Sequence, residues 1–216
     1  MACWLQIRFF TAMLFASALS GCFSSDTARW TEEVRSSNGT MFQLEGHAEI
    51  GSNGWPTQHR GNLHYIEYYH RPTKAYWRSP GGFNPVTFDI VNGVPYVVIL
   101  VANSLECSLM NYPEQGLLIH RWNSANGWER VQSTELPTNL EMNLMQQVFD
   151  VRDKIGDAQG FISFDRKSYR EGDRIGELTR WINEYGNSCE KYRKIGPVQT
   201  DVKAPEFVGF HGKPNF

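Results

Sequence analysis

Apolar and polar residues alternate along much of the first two thirds of the chain. Trp30, Glu32 and Val34 alternate with Thr31, Glu33 and Arg35. Beyond Asn38-Gly39, Phe42, Leu44, Gly46, Ala48 and Ile50 share one face, and Met41, Gln43, Glu45, His47 and Glu49 share the other. Alternation with period two on both sides of an Asn-Gly pair predicts a β-hairpin. Residues 51–61 are rich in Gly, Asn, Pro and Ser and read as a loop. NLHYIEYYH, residues 62–70, predicts a strand with aromatic side chains on both faces, ended by Pro72. KAYWRS, residues 74–79, predicts a short strand before the Ser79-Pro80-Gly81-Gly82 break.

The strongest pattern is VTFDIVNGVPYVVIL, residues 86–100. Val86, Phe88 and Ile90 share a face, Asn92-Gly93 turns the chain, and residues 96–101 form an apolar run suited to a strand buried on both sides. Pro95 sits near the start of that strand, where a missing N–H is tolerated. Residues 103–116 read as a longer loop containing Cys107. LLIHRWNSANGWERVQ, residues 117–132, predicts a further hairpin in which Trp122 and Trp128 pack as a pair across the turn. Residues 141–149 fit either a short helix or a strand, and residues 160–166 predict a strand.

Residues 174–185 are the best helix in the sequence. Ile175, Leu178, Trp181, Ile182 and Tyr185 make one apolar stripe, with Asp173 as N-cap and Gly186 as a stop. The tail beyond residue 195, with Pro197, Pro205 and Pro214, reads as extended. Several hairpins and one late helix predict a mainly β, antiparallel fold. A sandwich, a half-open barrel and a single curved sheet backed by the helix all satisfy the pattern. In each, Trp181 is expected to be buried against the sheet, on the Phe88 and Ile90 face. The hairpin framed by Trp122-Asn123 and Gly127-Trp128 resembles uncharacterised bacterial envelope proteins with a Trp-Asn…Gly-Trp turn; the likeness covers short stretches and implies no activity.

The N-terminus changes the picture. Arg8 precedes an uncharged apolar run over residues 9–19, too short to span a bilayer but of a size suited to a secretory signal. The run ends in Leu19-Ser20-Gly21-Cys22. This tetrad resembles the lipobox of bacterial lipoproteins, which implies cleavage before Cys22 and acylation of its sulfur and its new amino terminus. Phe23, rather than Asp, follows the cysteine, and the resemblance then implies an outer membrane location facing the periplasm. The expected organisation is a signal peptide over 1–21, an acylated tether over 22–29 and a single β-rich domain over 30–216.

The formal net charge is −2, and removing residues 1–21 takes away one more positive charge, Arg8. That balance argues against nucleic acid as a partner. Four cysteines are present. With Cys3 cleaved away and Cys22 acylated, Cys107 and Cys189 remain, and an oxidising compartment favours their pairing.

Chemistry is sparse. The sequence holds no G-x-S-x-G elbow, H-E-x-x-H, phosphate loop, dinucleotide glycine pattern, C-x-x-C or EF-hand loop. No catalytic residue and no cofactor is implied. His64 and His70 are an even number apart on one strand, with His47 and His59 in reach, but two imidazoles on a strand fall short of a metal site. Tyr65, Tyr68, Tyr69, Tyr76 and Trp77, with Arg71 and Arg78, are the densest aromatic and cationic cluster, suited to stacking a ligand or anchoring an interface, or to packing within a sheet. Arg166, Lys167, Arg170, Glu171, Asp173 and Arg174 read as a solvated loop leading into the helix. The expected function is a lipid-anchored, non-enzymatic binding or structural module with an envelope protein as partner. An envelope hydrolase acting on peptidoglycan, lipid or glycan is the alternative.

Overall fold

The computed structural model describes residues 25–51, 62–80, 83–135, 140, 142–144, 160–168, 178, 186–196 and 203–204. Among the described residues nine strands form two sheets. They are β1 (Ser25–Arg35), β2 (Met41–Gly51), β3 (Asn62–His70), β4 (Ala75–Pro80), β5 (Pro85–Val91), β6 (Val94–Leu100), β7 (Leu117–Asn123), β8 (Gly127–Val131) and β9 (Phe161–Ile162). The first sheet has the order β4-β3-β2-β1-β9 and the second β5-β6-β7-β8. All pairings are antiparallel except the short one of β1 with β9. The fold is therefore mainly β and open, not a closed barrel.

The predicted hairpins account for this topology. Gly39 and Gly93, at φ 84° and 81°, take the left-handed turn positions that follow Asn38 and Asn92. β1 starts at Ser25, so residues 25–29, expected in the tether, are paired with β2 instead. Trp122 and Trp128 stand opposite each other on β7 and β8, ring centroids 5.3 Å apart.

The two sheets share one core. Trp30, Leu44, Ile66, Tyr68 and Trp77 from the first meet Phe88, Val97, Ile99, Leu118 and Trp122 from the second. Burying each such side chain is worth about 1.5–3 kcal/mol. Gly46 is opposite Trp30, and a Cβ there would collide with the indole ring; the glycine lets Trp30 lie across β2.

The outer face of the second sheet is also apolar. Val98, Leu117 and Ile119 pack with Leu140, Met142 and Leu178. Leu178 is the described member of the stripe predicted over 174–185, and it is helical and buried. It packs on the Val98 and Ile119 face, not on the Phe88 and Ile90 side; Trp181 lies outside the described residues. Val86 joins this outer group rather than the inner one with Phe88, because the ladder shifts between Pro85 and Thr87 and turns Val86 outward.

Polar stitches join the sheets along their edges. Asp89, fully buried, accepts hydrogen bonds from the Ser36 hydroxyl and the Ser37 amide at the β1–β2 turn. The Asn143 side chain accepts from the Phe88 amide and donates to the carbonyls of Phe88 and Arg35, each at 2.9 Å. On the opposite edge the Trp128 indole donates to the Tyr76 carbonyl.

Besides the helical Leu178 and two 3-10 turns, the described residues include three short helices: α1 (Ser104–Leu109), α2 (Phe164–Ser168) and α3 (Ser188–Ile195). The stretch expected as a loop over 103–116 holds α1, capped by the Asn103 side chain, which accepts from the Glu106 amide. The strand expected over 160–166 shrinks to β9 before the chain turns into α2. A disulfide joins Cys107 of α1 to Cys189 of α3, with Cα atoms 5.2 Å apart and both residues fully buried. A cross-link closing so long a loop stabilises by about 4–5 kcal/mol on the chain-entropy view.

Lys167 corrects another expectation. It is 1% exposed, not solvated, and its ammonium donates to Glu32 at 2.8 Å and to the Asn143 carbonyl at 2.9 Å. A glutamate on the apolar face of β1 requires such a partner, since an unpaired buried charge is very costly.

Candidate functional site

Strand alternation divides the aromatic cluster between two faces. Tyr68 and Trp77 point inward and are fully buried. Tyr68 stacks edge-on against Trp30 at 5.9 Å and Trp77 against Trp128 at 5.2 Å. Burial, then the Glu32 carboxylate, raise the Tyr68 phenol well above its ordinary pKa. These two rings belong to the core, so the five aromatic residues do not form one exposed platform. Tyr65, Tyr69 and Tyr76 stand on the outer face of the first sheet, and there Tyr69 and Tyr76 are themselves largely buried.

Glu67 is the centre of that outer face and is 7% exposed. Its carboxylate lies 2.7 Å from Nδ1 of His47 on β2, accepts from the Tyr76 hydroxyl on β4, and pairs with Arg78 at 3.6 Å. Register explains the meeting: His47, Glu67 and Arg78 are successive partners across β2, β3 and β4. The Arg78 guanidinium also lies 4.0 Å over the Tyr65 ring. Burial, hydrogen bonding to Glu49 and the nearby Glu67 charge raise the Tyr65 phenol, against a smaller opposing pull from Arg78. Burial and Glu67 raise that of Tyr76 strongly. Both hydroxyls therefore stay protonated donors at neutral pH.

Beside this network runs a groove of about 710 Å³. Thr31, Gln43, Glu45, Tyr69 and Arg71 line it. It adjoins a second hollow of about 320 Å³ that adds Arg29 from β1. The Arg71 guanidinium donates from Nε to Glu45 at 2.7 Å, while remaining mostly exposed. The groove thus offers an exposed cation, a carboxylate, an amide and a hydroxyl, over a floor that Phe42, Tyr69, His70 and Pro72 help to form. That set suits recognition of a polar or peptide surface by hydrogen bonds and stacking.

The histidines fall at separate places. His47 is on the Glu67 network, His64 is exposed, and His70 points inward, bonded to the Thr73 hydroxyl at 2.7 Å. A register shift opposite Glu49 and Ile50 leaves His64 in a bulge, so it does not share a side with His70 despite the even spacing. Burial pushes His70 down to about 4, and His120, beside Trp77 and near Arg130, also to about 4. Among the described residues no group of three or more His, Cys, Asp or Glu side chains converges to hold a metal. His59 and the acylation candidate Cys22 lie outside the described residues. No described helix is long and apolar enough to cross a membrane.

The sequence named Tyr65, Tyr76 and Arg78 of the network and Tyr69 and Arg71 of the groove, but not Glu67 at the network's centre nor Thr31, Gln43 and Glu45. The signal was present in the polar face of β2 (Gln43, Glu45, His47, Glu49) and in the single glutamate of an aromatic strand. Pairing them required the register of three strands.

No protein-family model, curated protein or solved structure matches the chain. The functional reading rests on the residues and their geometry.

Proposed function

We propose that the chain is a lipid-anchored binding module of a bacterial envelope, held by acylated Cys22 on the outer membrane and facing the periplasm. The outer face of the first sheet binds a protein partner through the Arg71–Glu45–Tyr69 groove. One observation carries the binding part of this reading: the buried carboxylates are committed to structural bonds, whereas the Arg71 guanidinium, although bonded to Glu45, stays 69% exposed at the groove. Glu32 is held by Lys167, Asp89 by Ser36 and Ser37, and Glu67 by His47, Tyr76 and Arg78. The lipobox tetrad supports the anchor.

Crosslinking in the native envelope, followed by mass spectrometry, tests the reading. A protein adduct should form with the native chain and weaken severalfold for Arg71→Glu. Undiminished capture by that variant would reject the groove. Turnover of peptidoglycan, lipid or glycan by the purified protein would favour the hydrolase instead. Replacing Cys22 by Ala should abolish lipid labelling; labelled lipid on Cys22→Ala would reject the anchor.

A further inference from the structure

β1 is paired with β2 along its whole length, from Ser25 opposite Gly51 to Arg35 opposite Met41. Only residues 23 and 24 separate Cys22 from that ladder. Three residue steps reach at most about 10 Å. Lengthening this leash means peeling β1 away from β2. Peeling breaks the β1–β2 ladder from Ser25 onward, and past Arg29 it also draws Trp30, 4% exposed, out of the core. A lipid on Cys22 therefore fixes not only which membrane the domain meets but which part of it.

We infer that the domain stands end-on upon the bilayer, resting on the end of the first sheet where β1 starts, β2 ends, β3 starts and β4 ends. This rests on the lipid-anchor reading above. The surface it meets is the lipid headgroup layer. Gly51 and Asn62 are level with Ser25, and Tyr65 and Pro80 lie just above. Among the described side chains, Thr27, Arg29 and His64 are exposed towards this end. The alternative of lying flat has little to recommend it. On the outer face of the first sheet, Arg29, Arg71 and Arg78 are balanced by Glu45, Glu49 and Glu67, so anionic headgroups gain nothing there. The outer face of the second sheet already packs its apolar side chains against Leu140, Met142 and Leu178.

End-on standing sets heights. At about 3.3 Å per residue, Thr31 and the groove lie about 20 Å above Ser25, and the β1–β2 turn about 33 Å above it. The groove faces sideways into the aqueous space at a fixed level, reachable by a partner protein but not by lipid.

The test uses the acylated mature protein, purified from membranes and reconstituted in vesicles of phosphatidylethanolamine and phosphatidylglycerol. Single labelled variants carry a fluorophore near the membrane end (Thr27→Cys or His64→Cys) or far from it (Gln43→Cys or Pro72→Cys). A nitroxide on the lipid headgroup is the quencher. Quenching should be severalfold stronger at Thr27 and His64 than at Gln43 and Pro72. A long Gly-Ser spacer inserted between Ser24 and Ser25 should erase the difference. Equal quenching at both ends, or stronger quenching at Gln43 and Pro72, would overturn the end-on stance while leaving the anchor in place. The intact mass is read first: an unacylated Cys22 would overturn the anchor reading and this inference together.

Discussion

The first sheet buries one glutamate on each of its faces, and the two are held in different ways. Glu32, on the inner face, meets a permanent cation from far along the chain: Lys167 belongs to α2, and the Trp30 indole donates to the other carboxylate oxygen at 3.0 Å. Glu67, on the outer face, meets its partners within the sheet, from the neighbouring strands β2 and β4. Both Glu32 and Lys167 have side chains no more than 1% exposed, whereas those of His47 and Glu67 are 11% and 9% exposed. A charge sealed between sheets is a long-range fastener, because losing one partner strands the other in a dry core. A charge beneath a partly wet face can be rehydrated when a partner is removed, so its loss costs less. The inner glutamate thereby ties α2 to the sandwich, and the outer one orders side chains beside the groove.

The largest effect should come from separating these two cases at the inner site. Lys167→Met leaves the Glu32 carboxylate buried without its cation and should destabilise by about 3–5 kcal/mol. The double variant Glu32→Leu with Lys167→Met should recover much of that loss. Urea unfolding midpoints measure both, and a double variant no better than the single one would show that packing, not stranded charge, sets the cost.

At the outer site, Glu67→Gln keeps the shape and weakens the bonds to His47, Tyr76 and Arg78. It should cost about 1.5–3 kcal/mol, in the range for hydrogen bonds to a charged group. A loss as large as that of Lys167→Met would erase the contrast between the faces.

Acid sharpens the contrast on the inner side. His70 and His120 are held neutral by burial, both near 4 against an ordinary 6.5. Between those values the unfolded chain binds more protons than the folded one, so stability rises with pH. Their contribution is fully present above pH 6.5 and is lost as pH falls from 6.5 towards 4. Urea midpoints across this window should fall with acidification, and His120→Phe should flatten part of the slope. Midpoints that rise as the pH is lowered would contradict the assignment of neutral, buried imidazoles.

The smallest stability effect belongs to the groove. The side chain of Arg71 is 69% exposed, and removing an exposed ion pair costs about 0–1 kcal/mol. Arg71→Ala should thus unfold nearly like the native protein, and its effect should appear in binding. A large fall in the urea midpoint would make Arg71 a structural residue.

Much of the fold was legible because alternation and Asn-Gly pairs are local signals. Both survive in the hairpins β1–β2, β5–β6 and β7–β8. The Cys107–Cys189 bond was legible by counting, once the resemblance to a lipobox set Cys3 and Cys22 aside. Short elements were not: α1 has six residues, too few for a helical period to emerge. The bulges at His64 and Val86 reversed side-chain directions that even spacing had fixed in the reading. Lys167 sits in a run of mixed charges that looks solvated, and only the folded chain brings it to Glu32. The groove draws on residues from three strands and a turn, and no spacing rule links Thr31, Gln43, Tyr69 and Arg71.

The most direct test of the groove as the working face is a photocrosslinking side chain placed at one of two exposed positions, Gln43 beside the groove or Asn92 in the β5–β6 turn, in the full-length protein within its native cells. Irradiation should give a defined protein adduct from Gln43 that is absent from Asn92 and is lost when Arg71→Glu is added. Adducts of equal yield from both positions, or an adduct from Gln43 that survives Arg71→Glu, would contradict it.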